Sequence, residues 1–173
     1  MVSYLNNKRN YHVKFLAEKD VALAEAVCAN CEDYFLMEQG TPATSQNAQG
    51  IITDLPKGKT KRDKFVMAVL DEADKPIGLI DVVADFPKKG QWIIGLLMLI
   101  PEERGSGFGK VLYQVIKDWA LDGGADSLRI GVLEENKEAI GFWSHLGFKE
   151  IEEQQHTYGE KEHTVHVMVQ EIA

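Results

Sequence analysis

The sequence has little of what marks a specialised class. Only two cysteines occur in 173 residues, too few for the disulfide framework of a small secreted domain. Cys28 and Cys31 are spaced C-A-N-C. A structural zinc site would need a second ligand pair at similar spacing, and no second cysteine pair exists. The two fall at the end of an amphipathic helical pattern, not at the strand-to-helix junction of a redox motif. They read first as packed or partly exposed thiols, and second as redox or metal groups.

Long hydrophobic runs are also lacking. The longest, Trp92 to Ile100, is interrupted by Gly95 and is far shorter than the ~20 residues a membrane helix needs. Met1 to Asn10 has no apolar stretch of the secretory kind. A cytoplasmic location without a membrane partner is therefore expected. Positive charge is lacking too. A net charge of −8 argues against nucleic acid as a partner and tolerates a cationic small substrate.

What remains is an ordinary globular balance, 45% hydrophobic and 27% charged, of a length suited to one domain over residues 1–173. Residues 1–9 are expected to be a flexible lead-in. One basic run, Lys57, Lys59, Lys61, Arg62 and Lys64, reads as a solvated loop leading into a strand.

Periodicity suggests the elements. Tyr11 to Leu16 reads as a short strand, and Asp20 to Cys31 has helical apolar spacing at Val21, Leu23, Ala24 and Val27. A second helix over Glu32 to Gln39 ends at Gly40, and a further one runs through Ile51 and Ile52 to Pro56. Phe65–Leu70, Ile77–Val83 and Trp92–Ile100 are apolar runs of strand length joined by short turns, which argues an antiparallel meander. From Phe108 a 3.6-residue period through Val111, Leu112, Val115, Ile116 and Trp119 makes a long helix, stopped at Gly123-Gly124. A strand alternates through Leu128, Ile130 and Val132. Asn136 caps the next helix, and Phe148–Glu153 and Thr164–Val169 form a hairpin around Tyr158-Gly159. The class is α/β (α+β): one mixed, mostly antiparallel sheet with helices on both faces.

The chemistry is concentrated in Arg104-Gly105-Ser106-Gly107-Phe108-Gly109-Lys110, between a strand and the long helix. Glycines there let backbone approach a ligand closely, and the free N–H groups and dipole of a helix start favour an anion. A phosphate-bearing ligand follows. The spacing rejects two common cradles. Walker A would need glycine at Arg104 and Ser or Thr at Val111, and a dinucleotide fingerprint would need glycine at Lys110.

Leu97 to Gly109 resembles the pyrophosphate-binding motif of the GNAT-type N-acetyltransferases. Asn136-Lys137-Glu138-Ala139-Ile140-Gly141-Phe142-Trp143-Ser144-His145-Leu146-Gly147-Phe148 is similar to that superfamily's second motif, N-x-x-A-x-x-F-Y-x-x-x-G-F. Cys31 to Phe35 and Gly95 to Leu97 also resemble a subgroup of bacterial members with no assigned acceptor. The resemblance implies one N-acetyltransferase domain with residues 92–148 as its cofactor-binding core. It implies that the fourth and fifth strands (Trp92–Ile100 and the one through Leu128–Val132) splay apart to admit pantetheine. Acetyl-coenzyme A would then be the co-substrate, with no metal. Leu97, Met98 and Leu99 would meet pantetheine and the acetyl group through main-chain atoms, with a main-chain N–H stabilising the oxyanion. Arg104, Gly105, Ser106, Gly107, Phe108, Gly109 and Lys110 would hold the pyrophosphate. Asn136, Phe142 and Trp143 would border the pantetheine arm.

The implied reaction is direct attack of an amine, of a small molecule or a peptide, on the thioester. The ammonium must first lose a proton, since its pKa is near ~10. Trp143 stands where the superfamily often has Tyr, and an indole N–H has no comparable acidity. That substitution keeps a second reading open, a non-catalytic coenzyme-A-binding or interaction module. For the base, Asp81 stands out as a carboxylate in an apolar strand, either lining the site or structurally paired. Tyr34, with Asp33, follows the first helix, where the superfamily builds its acceptor wall. Glu134 and Glu135 are weaker candidates, and His145 reads as a surface residue. No motif encodes the acceptor or the oligomeric state, and a homodimer is left open.

Overall fold

A computed structural model describes residues 2–6 and 9–173, with side chains described from Asn10 onward. Eight strands and five α-helices follow in the order β1 (Val2–Asn6), β2 (Arg9–Phe15), α1 (Val21–Asn30), α2 (Glu32–Gln39), α3 (Ser45–Thr53), β3 (Lys64–Leu70), β4 (Pro76–Val83), β5 (Gln91–Leu99), α4 (Phe108–Asp122), β6 (Ser127–Leu133), α5 (Lys137–His145), β7 (Lys149–Tyr158) and β8 (Lys161–Glu171). Short 3₁₀ turns precede α1 and follow β5.

All strands join one sheet in the order β1-β2-β3-β4-β5-β6-β8-β7. The meander expected from three apolar runs is β3-β4-β5, antiparallel throughout. Its strands are apolar on successive residues because both faces are covered: Val66 to Leu70 are all buried, and a strand solvated on one face would alternate. On one face Trp119 of α4 meets Phe65 and Trp92 edge-on, at 5.0 and 5.2 Å between ring centroids. The start of α4 is fixed to β2 by Phe108, fully buried and stacked on Tyr11 at 4.2 Å. Helix α1 packs on β4 and α3.

Three elements differ from the sequence expectation. A strand, β1, pairs with β2 within the segment expected to be a flexible lead-in. The terminal hairpin is longer than the apolar pattern suggested, because β7 is the outermost strand and is almost wholly exposed. A polar edge strand carries no alternation to read. The basic run is a loop up to Arg62, but Lys64 opens β3 with its side chain only 7% exposed, 2.9 Å from Asp81 Oδ2. Cys28 and Cys31 are buried free thiols.

The feature that positions the site lies in the middle of the sheet. Strands β5 and β6 are parallel and pair only at Gln91–Ser127, Trp92–Leu128 and Ile93–Arg129. Beyond Ile93 they part. On the other side of β5 the ladder slips: Asp81 faces Leu96 and Val82 faces Ile94, so Gly95 is the extra residue of a β-bulge. Bulges bend the strand that carries them. A β-carbon at Gly95 would lie 3.0 Å from Asp81 Oδ2, so a side chain at the bulge would press on that carboxylate.

Candidate active site

Where β5 and β6 part, a cleft of about 1140 Å³ opens. Leu97, Met98 and Leu99 border it from β5, and Gly131 and Val132 from β6. The released edge of β5 offers main-chain hydrogen-bonding groups to whatever enters.

At the mouth of the cleft stands the start of α4. Gly105 and Gly107 adopt φ of +76° and +84°, a left-handed backbone that glycine takes without strain. A β-carbon at either would meet nothing within 4 Å, so both positions face open space. The first main-chain bond of the helix is Val111 N–H to the Gly107 carbonyl, at 3.3 Å. The N–H groups of Gly105 to Lys110 make no main-chain bond among the described residues. With the dipole of a 15-residue helix behind them, they form a cluster of free donors of the kind that favours an anion. Gly109 permits close packing on α5, since a β-carbon there would touch the Phe142 ring at 3.4 Å.

Most of the cofactor residues read from the sequence border this one cleft: Leu97, Met98, Leu99, Arg104, Gly105, Gly107, Gly109, Lys110, Asn136, Phe142 and Trp143. Ser106 and Phe108 do not border it. The Ser106 hydroxyl faces the Glu103 carbonyl at 3.4 Å, and Phe108 belongs to the core, leaving its main-chain N–H as its contribution to the cradle. Arg104 has its guanidinium fork occupied. Nε donates to the Leu99 carbonyl at 2.8 Å, and the Nη atoms donate to both carboxylate oxygens of Asp33, at 2.5 and 3.2 Å. That bond holds the Asp33 carboxyl below its ordinary range and ties α2 to the loop. Asn136 caps α5, its Oδ1 accepting from Ala139 N–H at 3.1 Å. Trp143 is nearly buried and packs edge-on against Phe142, Tyr113 and Phe148.

A second chamber of about 750 Å³ lies beside the bulge, walled by α2, by α3 and the segment after it, and by β4 and the end of β7. Asp81 borders this chamber and not the cleft, while Tyr34 borders both. Burial pushes the Asp81 carboxyl up, against the pull of Lys64, and its Oδ1 is buried without a hydrogen-bond partner among the described residues. Tyr34 donates to Glu38 Oε1 at 3.2 Å. Glu134 and Glu135 border neither space; they face His166 and His163. His145 is exposed at the rim of the cleft.

The residues common to both spaces are Tyr34, Glu38, Ile93, Gly95, Leu96, His156 and Tyr158. Three of these, Glu38, His156 and Tyr158, have no signal in the sequence. Glu38 sits in the last turn of a helix without a clear apolar stripe. The β7–β8 hairpin, more than a hundred residues away in sequence, reaches the end of that helix. Lys161 Nζ donates to the Met37 carbonyl at 2.7 Å, and His163 Nε2 meets the Glu38 carbonyl at 2.6 Å. The hairpin thereby caps the carbonyl end of α2 and fixes Glu38 at the meeting point. Burial raises the Glu38 carboxyl above its ordinary range, opposed by the Tyr34 bond and His163.

Among the described residues one group of side chains has atoms close enough together to hold a metal ion: Glu150, Glu153 and His166, within 4.8 Å of one another. It borders neither the cleft nor the chamber.

Residues 25–148 match the model of the Acetyltransferase (GNAT) family. The chain belongs to the GNAT family. Among curated GNAT relatives it is similar to an uncharacterized N-acetyltransferase, YobR, of Bacillus subtilis, 24% identical over 70% of this chain and 46% of that protein. It is also similar to a thialysine N-epsilon-acetyltransferase of Bos taurus, 38% identical over 31% of each. The matched stretch thus spans less than half of these relatives. Among solved structures, an acetyltransferase from Thermus thermophilus superposes with a TM-score of 0.74 at 18% identity, covering 93% of this chain and 96% of that one. That likeness is one of overall fold.

Proposed function

We propose that this protein transfers the acetyl group of acetyl-coenzyme A to a primary amine of a small molecule or peptide, by direct attack. The observation that carries the reading is the junction of two spaces at the β5 bulge. One runs from a phosphate cradle along an unpaired strand edge, and the other is lined by carboxylates.

Acetyl-coenzyme A supplies an acyl carbon activated as a thioester. The residues do the rest. The N–H groups of Gly105 to Lys110 and the dipole of α4 take the pyrophosphate, joined by Lys110 at the cleft. The open edge of Leu97 to Leu99 aligns the pantetheine arm, and an N–H of that edge stabilises charge on the carbonyl oxygen. Asn136, Phe142 and Trp143 close the other side.

In the chamber, Glu38, Asp54 and Asp81 face a single lysine, Lys64. That imbalance favours a cationic acceptor. The Bos taurus relative, named for the side-chain amine of thialysine, points the same way. Tyr34 is read as a hydrogen-bonding group at the junction, and Asp81 as a charge of the chamber wall, held by Lys64. The setting is read as cytoplasmic; no helix among the described residues is long and apolar enough to cross a membrane.

A thiol-release assay with acetyl-coenzyme A across mono-amines, diamines, amino acids and short peptides tests the reading. Saturable turnover with cationic amines is expected. The second reading, a module that binds coenzyme A without turnover, is favoured by Trp143, which places a packed indole where a phenol would serve as acid. Tight binding by calorimetry with no thiol release across the panel would establish it.

A further inference from the structure

An acyl donor held along β5 and an amine held in the chamber can react only where the two spaces meet. The titratable side chains bordering both are Tyr34, Glu38, His156 and Tyr158. They differ sharply as proton acceptors. The phenols of Tyr34 and Tyr158 are pushed up by burial, so both hold their protons near neutrality and serve as donors. His156 is exposed, with Nε2 against Gln154 Oε1 at 3.1 Å. Asp81 stands behind Gly95 and borders the chamber alone, with its Oδ2 paired to Lys64 at 2.9 Å. Among the described residues Glu38 is the one carboxylate that borders both spaces, with one oxygen bonded by Tyr34.

We propose that Glu38 is the catalytic base that removes the proton of the acceptor ammonium at the junction of cleft and chamber; this rests on the acetyl-transfer reading above. Its surroundings suit that task. From its own helix Tyr34 orients one carboxylate oxygen. From β7, Tyr158 and His156 stand at the junction, and from β8 His163 and Lys161 hold the main chain of α2. Asp54 and the Lys64–Asp81 pair lie across the chamber, while β5 and the start of α3 contribute no charge there. A partly desolvated carboxyl, raised toward the working pH, matches the need of a base better than a free one.

The step balances with groups already named. Glu38 takes one proton from R–NH₃⁺, and the freed lone pair forms the C–N bond to the thioester carbon. As the C–S bond breaks, a second nitrogen proton passes to the departing sulfur. Glu38 then releases its proton to solvent, so one H⁺ is produced per amide formed.

The test compares wild type with Glu38→Gln, Glu38→Asp and His156→Ala, measuring thiol release against pH and acetyl-coenzyme A affinity by calorimetry. Glu38→Gln is expected to lower kcat by about 10²- to 10⁴-fold, with cofactor affinity unchanged and the acidic limb of the pH profile gone. Glu38→Asp is expected to keep that limb at a reduced rate. A Glu38→Gln protein that binds cofactor and retains kcat and its limb overturns the assignment. So does loss of the limb in His156→Ala, which would move the role to that ring. Wild type that binds acetyl-coenzyme A yet releases no thiol with any amine defeats the transfer reading itself, and this assignment with it.

Discussion

Lys64 and Asp81 form an ion pair across β3 and β4 at 2.9 Å, with side chains only 7% and 15% exposed. Each is tolerated because the other is there. Removing one leaves the partner charged in a poorly solvated place. Asp81→Asn is therefore expected to cost about 3 to 5 kcal/mol, read by urea unfolding. The paired replacement Lys64→Met with Asp81→Leu should recover much of the loss. A neutral effect of Asp81→Asn alone would mean that Lys64 finds another partner.

Gly107→Glu should abolish cofactor binding. The residue has a φ of +84°, so any side chain is strained there, and a carboxylate would face the pyrophosphate across the open side of the cradle. A loss of at least ~100-fold in affinity is expected, about 2.7 kcal/mol or more, with the fold retained by circular dichroism. Gly124→Glu, at a φ of +89° beyond the far end of α4, carries similar strain away from the cradle and should bind normally.

The Glu38 carboxyl should leave a signature in stability. Its folded pKa is raised by burial, so the fold prefers the neutral acid. The sign follows: stability from this group is fully present below the unfolded value of ~4.3 and is lost as pH rises through the folded value. Glu38→Gln removes that loss. The variant should match wild type at low pH and exceed it near neutrality, measured as urea midpoints at two pH values. Equal midpoints at both would show that the carboxyl is solvated.

Cutting the clamp between hairpin and helix should act on rate rather than on cofactor. Lys161→Met removes the bond to the Met37 carbonyl, a loss of about 1 kcal/mol. It loosens the last turn of α2, where Glu38 sits. A fall in kcat of about tenfold with unchanged acetyl-coenzyme A affinity is expected. An equal fall in cofactor affinity would place the effect elsewhere.

Burial pushes the Cys28 thiol up to about 12, so little thiolate exists near neutrality. Native protein should resist iodoacetamide at Cys28, and mass spectrometry should find that site alkylated only after unfolding. Rapid native labelling would show that α1 opens readily.

What the sequence carried and what it hid divide by distance along the chain. The loop from Arg104 to Lys110, α4 and α5 were legible because their signals are local: glycines in the loop, a 3.6-residue period in α4 and an N-cap at Asn136 before α5. The meander was legible because strands covered on both faces become apolar runs. Gly95 was visible only as an interruption; its role as a bulge depends on the register with Asp81. Lys64 read as part of a solvated loop, since nothing nearby shows that its charge turns inward. Glu38 was hidden altogether. Its placement comes from Lys161 and His163, contacts whose sequence separations are 124 and 125 residues.

The short ladder between β5 and β6 has a mechanical consequence. Among the described residues only three ladder pairs join the five strands on one side to the three on the other, with the remaining linkage left to packing and to bonds outside the ladder, such as Asp126 N–H to the Gly90 carbonyl and the hold of β8 on α2. The sheet is in effect two panels on a narrow hinge. A pantetheine arm in the gap would act as a splint, completing the seam with main-chain bonds. Ligand at about 100 times its dissociation constant adds ~2.7 kcal/mol to any fold that binds it. Here that gain should fall unevenly, slowing amide exchange most along the facing edges of Leu97 to Leu99 and Gly131 to Leu133. Cofactor occupancy would then be readable as the stiffness of one seam.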